Sequence, residues 1–216
     1  MKIAMFYELS PGGARRAAND LGKELLSKHQ VDAYIVDTTN IGYEKECYSK
    51  VYFNRFVDQS TMLTGWKKRL VKDTVTLFKL YILHRKISKQ IDRRHYDIVL
   101  VFSSQYTQSP FLLHFLKTKK IYLAHDIYRA FYKPIFRYRK SEYPFEYIYQ
   151  TCVMRMRKYF DASNVNHADT VVVPSKYTQR NFLKYYRRKS IVCYPGVNAN
   201  FFSPIDTEKT IDLCLS

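Results

Sequence analysis

The sequence predicts a doubly wound α/β domain, a Rossmann-like and mostly parallel sheet with helices on both faces. Three observations carry that expectation. Short β-rich runs alternate with helical patterns along most of the 216 residues. The run Ile98-Val99-Leu100-Val101-Phe102 is apolar at every position, as a strand covered on both faces requires. The chain also opens with a strand, a glycine turn and a helix, in that order.

Taken in order, the first strand spans residues 2–7 and runs into Ser10-Pro11-Gly12-Gly13. A helix then begins at Ala14. Ala14, Ala17, Ala18, Leu21 and Leu25 share one stripe at helical spacing, while Arg15, Arg16, Lys23 and Lys28 are expected to face away. Further strands are expected at residues 33–36, 98–102, 121–124, 170–173 and 191–194. Residues 40–65 carry turn formers and charge without periodicity and read as an irregular excursion near a cleft mouth. Residues 66–94 have the apolar spacing of one long helix, or of two joined near His84, with many Lys and Arg between. No internal repeat is present at any fixed period.

Composition narrows the class. The sequence is 46% apolar and 16% aromatic, with 20 Tyr, so a packed core is expected rather than disorder. Its length suits one large α/β domain or two small ones. The formal net charge of +17 implies an anionic partner, for which nucleic acid, anionic lipid and a phosphorylated substrate all qualify. The four cysteines are scattered and form no Cys-x-x-Cys pair, which argues against a zinc ribbon or a disulfide framework and for a cytoplasmic location. No stretch reaches the ~20 uncharged residues of a spanning helix, so neither secretion nor membrane spanning is expected.

In doubly wound sheets ligands bind beyond the carboxyl ends of the strands, which makes Gly12, Gly13, Ser103, Ser104, His125, Asp126, Ser175 and Gly196 the candidates. Backbone N–H groups at the start of the first helix add a site for a phosphate or a sugar hydroxyl. Asp37, near the end of the second strand, stands where a dinucleotide-binding fold places its ribose-binding acid. The turn lacks the Gly-x-Gly-x-x-Gly order, however, and no Gly-Lys-Ser or Gly-Lys-Thr follows it. His125, with Asp126 beside it, can hydrogen-bond a sugar hydroxyl or a developing charge. The remaining histidines, His29, His84, His95, His114 and His167, show no metal-ligand spacing, and no metal is assigned. The Gly-x-Ser-x-Gly elbow of a hydrolase is absent. Residues 128–149 interleave aromatic rings and cations in a manner that fits an acceptor-facing or membrane-facing loop. No ribonucleoprotein motif, zinc finger or helix-turn-helix accompanies them.

Several of these segments together resemble a known family. Gly12-Gly13-Ala14-x-Arg16, Val171-Val172-Val173-Pro174-Ser175-Lys176-Tyr177-Thr178 and Tyr194-Pro195-Gly196-Val197-Asn198, followed by Phe202-Ser203-Pro204, look like the N-terminal half of a GT-B glycosyltransferase of group 1, the retaining family 4. His125-Asp126-x-Tyr128-Arg129 matches the segment where many members carry a cleft histidine and a nearby arginine. The resemblance implies a hexosyltransferase that moves a sugar from a nucleotide-sugar donor to an acceptor, with retention and without a metal or other cofactor. It casts His125 as the residue against the transferred sugar. Gly12 and Gly13 would approach the donor phosphate or the acceptor, and Arg16 and Arg129 anionic groups. Ser104, Asp126 and Ser175 complete the substrate-binding set, Ser175 also reading as a helix N-cap.

By the same resemblance, residues 1–205 form the acceptor-binding domain, and residues 206–216 a linker and the first strand of a donor-binding domain, without which little transfer is expected. The partners the resemblance implies are a nucleotide sugar and a glycan or lipid-linked acceptor, and the basic charge adds an anionic membrane surface. The protein would then be cytoplasmic or peripheral on the cytoplasmic face, with no nucleic acid bound. Two rivals stand beside this reading: a basic module that binds nucleic acid or an anionic membrane without catalysis, and a dinucleotide-dependent oxidoreductase on the same sheet.

Overall fold

A computed structural model of the chain describes residues 1–37, 43–127, 132 and 144–196. Within them seven parallel strands form one sheet in the order β3-β2-β1-β4-β5-β6-β7. They are β1 (Lys2–Glu8), β2 (Gln30–Asp37), β3 (Lys50–Arg55), β4 (Ile98–Ser104), β5 (Lys120–Leu123), β6 (Thr170–Val173) and β7 (Ile191–Val192). Every neighbouring pair is parallel, so each connection crosses a face of the sheet. The helices are α1 (Gly13–Leu26), α2 (Gly65–Val71), α3 (Leu77–Asp92), α4 (Leu112–Phe115), α5 (Pro144–Asn166) and α6 (Lys176–Tyr186).

Alternation along the central strand divides the core into two layers. Ala4 and Phe6 of β1 join a cluster with Leu80, Ile87 and Ile91 of α3 and Phe182 of α6. Ile3, Met5 and Tyr7 point to the other face, where Ala18 of α1 and Tyr48 cover them. A strand buried on both sides must be apolar at successive positions, and that is why β1, β2 and β4 were visible in the sequence. The expected α/β class and parallel sheet are what the chain adopts.

Several expectations need correction. The segment read as an irregular excursion contains β3, an edge strand whose six residues are exposed at the ends and only partly buried between. It lacks the apolar run that marks a central strand. In α1, Arg15 and Ala17 exchange the places assigned to them: Arg15 is buried and Ala17 exposed. Close packing of α1 rests instead on Ala18 and Gly22, and a Cβ on Gly22 would meet Tyr48 Cε1 at 2.3 Å. The long helix is not broken near His84. It runs from Gly65 to Asp92 with a single π turn at Lys72–Thr76. A π turn removes regular backbone pairing, and the Thr74 hydroxyl donates to the Leu70 carbonyl at 2.6 Å. The expected domain boundary at residue 205 falls outside the described residues. Among the described residues, no helix is long and apolar enough to cross a membrane.

Candidate functional site

Strand order reverses beside β1, because β2 and β3 lie on one side of it and β4 to β7 on the other. The carboxyl ends of β1 and β4 therefore diverge into the crevice where doubly wound folds take their ligands. The β1–α1 turn forms one rim. Gly12 has φ +155° and caps α1 with no side-chain hydrogen bond, its carbonyl accepting the Arg16 N–H at 3.0 Å. That backbone suits glycine. A Cβ on Gly12 or Gly13 would meet no atom within 4 Å, so the turn faces open space. Arg16 is exposed on that turn.

The next strands, β4 and β5, end at the same edge of the sheet. Ser103 and Ser104 close β4, and the Ser103 hydroxyl accepts the His125 N–H at 3.2 Å, so the end of β4 fixes the histidine's backbone. The His125 ring lies 6.4 Å from that of Phe102. Partial enclosure there lowers its pKa below the ordinary 6.5, which favours a neutral imidazole at pH 7. The Ser104 hydroxyl accepts the N–H groups of Tyr106 and Thr107, at 3.0 and 3.1 Å, and holds the loop after β4. In that loop Gln108 donates to the Asp126 carbonyl at 2.6 Å, and Asp126 Oδ1 accepts the Ile127 N–H at 2.8 Å. His125, Asp126, Ser103 and Ser104 thus belong to one bonded cluster.

Ser175 behaves as a helix cap, its hydroxyl accepting the Thr178 N–H at 3.1 Å at the start of α6. It follows β6, two strands beyond β4 in the sheet. Gly196 is exposed after β7. Arg129 lies outside the described residues, as do Val197, Asn198, Phe202 and Pro204.

Three groups at the same end escaped the sequence reading. Arg15 is enclosed between the turn and β2, its guanidinium paired with Asp37 and donating from Nε to Glu44 at 3.0 Å. Asp37, weighed above as a ribose-binding acid, therefore faces an internal cation. Glu8 and His84 are wholly buried, with His84 Nε2 3.2 Å from Glu8 Oε2. Glu8 Oε1 and His84 Nδ1 have no partner among the described residues. Tyr106 is half-buried nearby, and its pKa is pushed up to about 12, first by burial and then by the charges of Glu8, Asp58 and Asp37. One signal was available in the sequence: an acidic residue, Glu8, directly follows the apolar run of residues 3–7. A small hollow lined by Leu77, Thr107, Phe111, Arg157, Phe160 and Asn164 lies between α3, α5 and the loop after β4, away from the diglycine turn.

The wider comparisons agree with this architecture. The model of Glycosyltransferase Family 4 matches residues 11–201. Among solved structures, HepE of Anabaena in complex with UDP and glucose is 16% identical, with a TM-score of 0.56 over 95% of this chain and 47% of that one. Sucrose-phosphate synthase from Thermosynechococcus elongatus is 13% identical, with a TM-score of 0.56 over 94% of this chain and 50% of that one. A glycosyltransferase from Rickettsia africae is 17% identical, with a TM-score of 0.52 over 96% and 46%. The chain spans about half the length of each. No curated protein matches the sequence. With the family model covering most of the sequence and the fold shared with GT-B glycosyltransferases, the chain belongs to glycosyltransferase family 4.

Proposed function

We propose that this chain is the acceptor-binding half of a retaining hexosyltransferase that uses a nucleotide-sugar donor. The observation that supports it is the juxtaposition at the switch point: an open diglycine turn and helix start after β1, and the His125 cluster one strand beyond β4. An open helix N-terminus suits a phosphate or a sugar hydroxyl. A neutral imidazole can donate one hydrogen bond and accept another, which matches sugar hydroxyls. In this reading His125 lies against the transferred sugar. Gly12, Gly13, Arg16, Asp126 and Arg129 engage the acceptor or its phosphate, while Ser104 and Ser175 shape the loops around them. The UDP bound in HepE suggests a uridine nucleotide for the donor. By the family resemblance the donor site belongs to a second domain, on which turnover depends; the chain itself spans about half of each structural relative. The family resemblance assigns the chemistry no resident metal.

Saturation-transfer NMR with neutral sugars and sugar phosphates tests the acceptor site directly. Sugar phosphates are expected to receive saturation from the protein, and His125→Ala to weaken that transfer while leaving the melting temperature unchanged. Absence of transfer to any sugar, or an undiminished signal in the His125→Ala protein, rejects the assignment.

A further inference from the structure

The helix from Gly65 to Asp92 carries large apolar side chains on its solvent side. Trp66, Leu70, Phe78 and Ile82 are 69, 42, 64 and 52% exposed. In a regular helix, at about 100° per residue, Leu70 and Phe78 would diverge by about 80° and the four would not align. The π turn at Lys72–Thr76 absorbs one residue and brings that offset to about 20°. The result is a single exposed apolar stripe, opposite the face that buries Leu80, His84, Ile87 and Ile91. Lys67, Lys79 and Lys86 run along one flank, and Arg85 and Lys89 continue the line toward the C-terminus, all exposed. At the π turn Asp73 is held by Arg157, through Nη2 at 2.7 Å, and by the Tyr149 hydroxyl at 3.0 Å. That ties α5, with exposed Phe145 and Ile148, alongside.

The geometry points to this face as a docking surface for an anionic phospholipid bilayer, with the π turn as the device that aligns it. Large rings and aliphatic side chains in a row, flanked by Lys and Arg, have the form of a helix that lies in the lipid interface. The net charge of +17 supplies the complementary field that selects an anionic over a neutral surface. The surface belongs to the outside of the helix and stands whether or not the crevice transfers sugar.

Trp66 is the sole tryptophan and reports on the stripe directly. In the full protein its emission is expected to shift to the blue, and the protein to co-sediment, with vesicles of phosphatidylcholine and phosphatidylglycerol but not of phosphatidylcholine alone. Phe78→Ser with Ile82→Ser, both at exposed positions, should weaken partition about tenfold or more. Each of Lys79→Gln and Lys86→Gln should weaken it about fivefold. Deleting Thr74 rotates Trp66 and Leu70 out of line and should abolish the shift, with far-UV circular dichroism reporting that the helix persists. The proposal is overturned if Trp66 emission and sedimentation ignore anionic vesicles, or if neutral vesicles bind as well. It is equally overturned if emission is already blue-shifted without lipid or shifts with protein concentration alone, since another protein surface then covers the stripe.

Discussion

Asp161 shows how one buried group sets a pH response. Its carboxyl is enclosed between α5, α6 and the loop after β4, where Ser109 donates from N and Oγ to Oδ1 at 3.2 and 2.6 Å and the Tyr186 hydroxyl donates to Oδ2. Burial raises its pKa from 3.8 to about 6, against those hydrogen bonds, which favour the charged form. In the unfolded chain the group titrates near its ordinary value, so between those two values the native state binds the extra proton. Its contribution to stability therefore falls as pH rises through about 6. Asp161→Asn cannot titrate. In urea denaturation the natural protein should gain about 1 kcal/mol on the Asn variant between about pH 7 and pH 5. His114 and His125, both lowered by burial, act in the opposite sense below 6.5 but are common to both proteins and cancel. Parallel curves for the two proteins across that range would show that Asp161 is not held in a raised state.

At the scale of elements, the turn between β1 and α1 is fixed by a long-range clamp. Arg15 leaves the first turn of α1, meets Asp37 at the end of β2 and Glu44 in the short 3-10 turn at Tyr43–Glu46, and reaches the Leu9 carbonyl at 3.5 Å. Arg15→Met leaves Glu44 buried without its cation and should cost about 3–5 kcal/mol, part of which Glu44→Gln on the same background restores. A loss below about 1 kcal/mol in urea denaturation would mean that the clamp does not hold the turn. The clamp also shows where sequence reading stops. On a helical wheel Arg15 belongs to the charged face, and only partners 22 and 29 residues away bring it inside. Central strands were legible because burial on two faces demands an unbroken apolar run, as at Ile98–Ser104, whereas β3 at the edge is only partly buried and left no such mark. The phase slip between Leu70 and Phe78 was present in the sequence, but only the π turn gives it meaning. For the candidate site, the order of strands alone is enough to put His125 after β5 and the diglycine turn after β1, at the carboxyl edge. The hydrogen bond from His125 to Ser103 and the Glu8–His84 pair join residues distant in sequence that no local pattern links.

For the molecule as a whole, charge is divided between two environments. Several inward-facing carboxylates are matched locally, Asp37 and Glu44 by Arg15 and Asp73 by Arg157. Most of the 36 Lys and Arg, against 19 Asp and Glu, are left to the exterior. Self-repulsion of a surface with a net charge of +17 opposes the compact state and, unlike the buried pairs, is screened by salt with a Debye length of about 10 Å at 0.1 M. Raising NaCl from about 20 to about 300 mM should therefore raise the melting temperature by a few degrees, while Arg15→Met should show the same increment from a lower starting point. Sodium chloride serves better than sulfate for this test, because sulfate also strengthens apolar burial and binds cationic sites. A melting temperature that falls with salt would mean that attractive exterior pairs outweigh the repulsion. The basic surface would then be self-neutralised and offer much less field to any anionic partner.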